Sequence, residues 1–87
     1  MQIWKFPLEV TDDECLEMPF RARVLTIQTQ NGKPCLWALV EPGSSPILRK
    51  FRIVGTGHEF DGKGEYVGTF QLMDGALVFH VFDVSEA

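Results

Sequence analysis

Eighty-seven residues are enough for one domain and too few for two independent cores. The chain is 45% hydrophobic and 23% charged with a mean hydropathy of zero, a balance that excludes a disordered tail or a collagen-like repeat. Its net charge of −4 excludes phosphate-backbone attraction as a general basis of binding, so a nucleic-acid partner is disfavoured; Arg49, Lys50 and Arg52 form the one basic cluster in the sequence.

In chain order, "QIWKFPL" is a first strand, with Pro7 and Glu9 breaking its apolar run before a signal-peptide core forms. No apolar run reaches the roughly 20 residues of a membrane span, and the expectation is a cytoplasmic protein with no membrane role. "TDDE" at 11 to 14 fits a capping box but is soon stopped by Pro19, so it predicts no more than a turn, followed by a short "CLEMP" strand. Cys15 and Cys35 lack CxxC spacing and read as buried free thiols.

"RARVLTIQTQ" (21–30) and "PCLWALVEP" (34–42) are strands joined through Asn31-Gly32, a preferred pair for a tight hairpin turn. A Gly-Ser-Ser-Pro loop leads to "ILRKFRIVG" (47–55). "YVGTFQLM" (66–73) and "ALVFHVFDV" (76–84) flank Asp74-Gly75 as a second hairpin. Six or seven short strands predict an all-β single domain spanning 1–87, a compact antiparallel β-sandwich or small barrel. The strands 35–41 and 77–82 are apolar on both faces, where a one-sided sheet would alternate with polar residues. A homo-oligomer follows as the expectation, with one face covered by another chain.

The segment "FRIVGTGHEFDGKGEY" (51–66) offers a glycine-rich turn after a strand. Backbone N–H groups at Gly57, the Thr56 hydroxyl and His58 would suit an anion, with Lys50 and Arg52 on the adjoining strand as cations. The alternative is that Gly55 and Gly57 serve the turn alone. No P-loop or dinucleotide fingerprint is present. His58, Glu59 and Asp61 lack metal-ligand spacing, and no cofactor is expected. No nucleophile stands beside a base, so no catalytic residue is assigned. His80, between Val78 and Phe82 on one strand face, reads as a hydrogen-bonded core or interface residue. Trp4 and Trp37, with Tyr66 and the seven phenylalanines, supply flat apolar surfaces of the kind that stack on bases; core packing explains most of them, and the indoles, Trp37 foremost, are the candidates for a nucleotide.

The segments "WKFPLEVTDDECLEMP", "IQTQNGKPCLWALVEP", "FRIVGTGH" and "YVGTFQLMDGALVFHVF" together resemble a family of small uncharacterised proteins of tailed bacteriophages and prophages. The similarity runs from Ile3 to Phe82. The resemblance implies a phage-borne protein of the host cytoplasm and supplies no activity to carry over. Small non-enzymatic phage proteins commonly counter host defence. The expectation is therefore a protein that sequesters a nucleotide-derived immune signal in inter-subunit pockets, with Trp37, Lys50, Arg52, Thr56, Gly57 and His58 as ligand-binding residues. The alternatives are an acidic inhibitor of a host defence protein, acting through Asp12, Asp13 and Glu14, and a virion accessory protein.

Overall fold

The computed structural model describes residues 1–85. Seven strands run β1 Gln2–Pro7, β2 Asp13–Pro19, β3 Arg23–Gln30, β4 Lys33–Val40, β5 Pro46–Gly55, β6 Glu65–Leu72 and β7 Leu77–Asp83. They form two antiparallel sheets, ordered β1-β4-β3 and β2-β5-β7-β6, and neither closes into a barrel. No described helix is long and apolar enough to cross a membrane.

Period-two patterning decides what lies between the sheets. Leu36, Ala38 and Val40 of β4 and Ile27 of β3 meet Met18 of β2, Phe51 and Ile53 of β5, Phe70 of β6 and Val81 of β7. Leu36, Ala38, Val40, Met18, Phe51 and Val81 are fully buried, each larger one contributing about 1.5–3 kcal/mol over exposure. At the β3–β6 side the sheets approach most closely through Gly68: a Cβ there would lie 2.6 Å from Ile27 Cγ2.

The doubly apolar strands are covered in part by the chain itself. On β4 the outward Cys35 is buried, and Trp37 is half-buried beneath Lys5, whose Nζ lies 5.9 Å from the ring centroid. On β7 the outward Phe82 packs against Phe60 from the β5–β6 loop, with centroids 4.6 Å apart, and against Tyr66 at 5.6 Å. Both cysteines are free, but Cys15 is exposed: it pairs with Lys50 on the outward face of β2, which corrects its expected burial.

The Asn31-Gly32 turn has the expected positive φ angles, 53° and 77°. The second hairpin differs, since Met73 joins Asp74 and Gly75 in the left-handed region and the connection takes four residues rather than two. Gly75 N donates to Leu72 O and Ala76 N to Met73 O. Val10–Asp12 is a bend with no helical turn.

Candidate ligand-binding site

Three grooves adjoin through shared lining residues, two beside the β2–β3 corner and one on the outward face of the four-stranded sheet. The largest, about 500 Å3, has an apolar wall of Phe20 and Ile47 and reaches Arg21, Arg49, Lys63 and Asp83. The second, about 440 Å3, shares Arg21, Arg49, Glu65 and Asp83 with it and adds Arg23 and Tyr66. The third, about 370 Å3, shares Lys63, Val84 and Ser85 with the first and continues to Leu48, Lys50, Arg52 and Asp61.

Local structure brings these groups together. The β2–β3 corner turns at Pro19–Ala22, closed by Ala22 N donating to Pro19 O at 3.0 Å, and it forces Arg21 to φ 65°. That left-handed backbone costs a non-glycine residue about 1 kcal/mol, and here it sets the guanidinium 5.4 Å from the Phe20 ring centroid. Bulges between Val24 and Thr26 on β3 and between Tyr66 and Gly68 on β6 lie next to Arg23 and Tyr66, the place where such irregularities re-aim side chains.

Arg21, Arg23, Arg49, Lys50, Arg52 and Lys63, six of the chain's eight lysines and arginines, line the three grooves, together with the carboxylates Asp61, Glu65 and Asp83. Two of these cations are spent internally. Arg49 Nη2 donates to Asp83 Oδ2 at 2.6 Å and its Nη1 to Ala22 O at 2.8 Å, tying β5 to β7 and to the β2–β3 corner at the end of the core. Burial pushes the Asp83 carboxyl upward, but hydrogen bonds from Arg49 and Ser85 and the Arg49 charge outweigh it and hold Asp83 below its ordinary value. Arg52 is held charged above its already high value by the hydrogen bond and charge of Asp13, with Asp61 adding to this; the contacts are 3.1 and 3.2 Å. Arg21, Arg23, Lys50 and Lys63 make no ion pair among the described residues. Four cations without an ion pair along these adjoining grooves, within a chain of net charge −4, favour an anionic ligand there.

The residues expected from the sequence are divided by the fold. Lys50 and Arg52 line the third groove. His58 lies in a further groove with Asp12, Glu59, Arg52 and Asp61, which adjoins the third through Arg52 and Asp61 and in which carboxylates outnumber cations. Its ring covers Gly55, lying 3.0 Å from where a Cβ would be. Gly57, at φ 87°, and Thr56 form the turn closed by His58 N donating to Gly55 O at 3.0 Å. The Thr56 hydroxyl lies 2.7 Å from His80 Nε2 and is spent inside the molecule. Trp37 stands on the outward face of the other sheet, so one chain does not bring it to Lys50 and Arg52. Trp4 is on the edge strand β1, its Nε1 donating to Gln2 Oε1 at 2.7 Å.

Arg21, Arg23 and Lys63 are not singled out by the sequence, and Tyr66 is read there only as one of several aromatic surfaces. The four come from two separate stretches, 21–23 and 62–66, which become neighbours only when β3 and β6 meet across the sandwich.

The whole chain, residues 1–87, matches the model of a family described as a domain of unknown function (DUF7352), and the chain belongs to that family. No curated protein and no solved structure matches it.

Proposed function

We propose that this protein is a binding protein that sequesters a small nucleotide-derived anion in the grooves around Arg21, Arg23, Lys50 and Lys63. Retention of the ligand, with no bond made or broken, is the role assigned to it. The resemblance to phage and prophage proteins supplies the biological setting, removal of a host immune signal from the cytoplasm. The observation that carries the reading is that six of eight basic side chains line three adjoining grooves of an acidic protein, the first of them walled by Phe20 and Ile47. Such a field captures anions quickly and weakens with salt.

The alternative of an inhibitor acting through the acidic triplet has less support. Asp13 is bound to Arg52, and Glu14 lies 3.4 Å from the Thr11 hydroxyl, so neither is held ready for a cationic partner.

Native mass spectrometry of protein from cells with an active nucleotide-signalling defence tests the proposal. The expected result is a stoichiometric nucleotide that is lost in Arg21→Glu/Lys63→Glu. It should be kept in Lys5→Glu/Lys33→Glu, which changes the net charge equally at residues outside the three grooves. A ligand-free wild type that also shows no calorimetric signal with nucleotides at about millimolar concentration would sink the reading.

A further inference from the structure

We infer that Tyr66 is the platform on which the planar ring of the anionic ligand stacks, an inference that rests on the groove being a nucleotide site. Tyr66 is 60% exposed, yet it is not a loose side chain. Its hydroxyl lies 2.5 Å from Thr69 Oγ1, which lies 2.9 Å from His80 Nδ1; His80 Nε2 is 2.7 Å from Thr56 Oγ1, which also reaches Val78 O at 3.4 Å. One set of proton positions satisfies every link. Tyr66 donates to Thr69, Thr69 to Nδ1, Nε2 to Thr56, and Thr56 to the Val78 carbonyl. The chain crosses the outward face of the four-stranded sheet and anchors the phenol at its far tip.

The ring is braced from the side as well. Phe82 lies 5.6 Å away, tilted by 58°, and is itself backed by Phe60. A large aromatic surface is thus exposed while its orientation is fixed by hydrogen bonds and packing. The ordering cost of a stacking contact is already met before the ligand arrives. The same residue lines the groove that holds Arg21 and Arg23, and the inference assigns phosphates to those guanidiniums and a heteroaromatic ring to Tyr66. Ring and phosphate are then recognised within a single chain, and Trp37 on the opposite sheet is not required. The ligand class is a nucleotide, a heteroaromatic base carrying phosphate charge.

Calorimetric titration with ADP and, separately, inorganic pyrophosphate tests this. In wild type both bind. Tyr66→Ala should weaken ADP roughly 5- to 100-fold while changing pyrophosphate less than about twofold, and Tyr66→Phe should retain most of the ADP affinity. Equal losses for the two ligands, or undiminished ADP binding by Tyr66→Ala, would overturn the platform and leave the anion groove standing. If wild type binds neither probe, the groove reading fails and the platform with it. Far-ultraviolet circular dichroism of each variant checks that this exposed substitution leaves the sheets intact.

Discussion

Arg49 follows the inward parity of β5 at a level where the apolar core has ended, and Asp83 does the same on β7. Their side chains are only 15% and 17% exposed, so the pair works in an environment that screens it less than a surface pair. Asp83→Asn would leave the guanidinium without its charged partner and should destabilise the fold by about 1–3 kcal/mol at neutral pH. The depressed carboxyl fixes the sign of the pH dependence. Its contribution is complete above the ordinary Asp value of about 3.9 and is lost as pH falls through the lower folded value. Urea unfolding should show the wild type and Asp83→Asn far apart at pH 7 and converging in strong acid. A second test on this scale is Arg21→Gly. Glycine adopts φ 65° without strain, so thermal stability should hold or rise slightly, while ligand affinity falls. If the variant is instead markedly less stable, the arginine is there for structure and the groove loses an argument.

The elements were largely legible before folding, because the turn residues and the period-two runs agreed. Asn31-Gly32 marks one hairpin to the residue, and β5 ends at Gly55, where the run of apolar and basic residues breaks. What could not be read was which strands would be neighbours across the sandwich. "RAR" at 21–23 and "GKGEY" at 62–66 each look like ordinary solvated sequence, and they make a cationic groove only because β3 lies against β6. The glycine turn at 55–58 was legible as a turn but not in its contacts, since Thr56 points to His80 and not to a ligand. Gly68 shows how tightly the two sheets are matched at this side. Gly68→Ala would set a methyl against the stiff, branched Ile27 and should cost about 1–3 kcal/mol. Ile27→Ala in the same chain removes the obstructing Cγ2, so the double variant should lose less than the two single losses combined. A double-mutant cycle by urea unfolding measures that coupling, and simple additivity would mean the contact is relaxed in solution.

At the scale of the molecule the two sheets end differently. The β2 edge carries Asp13, Glu17 and Pro19, the charges and proline that discourage strand addition. The β1 edge carries Lys5 and a terminal Pro7, with Ile3 61% and Trp4 36% exposed on its two faces. Its outward N–H and C=O groups have no partner strand among the described residues, and they match a second β1 run antiparallel about a two-fold axis. Centred on Trp4, such pairing sets Lys5 of one copy opposite Ile3 of the other and so avoids facing like charges. The expected outcome is a dimer in sedimentation experiments at about 100 µM, built on a continuous six-stranded sheet. Ile3→Lys should dissociate it, whereas Leu48→Lys, at a residue 70% exposed on the other sheet, should not. A monomeric wild type would leave the edge unpaired, and loss of the dimer only in Leu48→Lys would move the interface to the four-stranded sheet. No residue of β1 lines the three grooves, so this dimer would present two open sites, and occupancy of two nucleotides per dimer would link the assembly to the binding reading without a shared pocket.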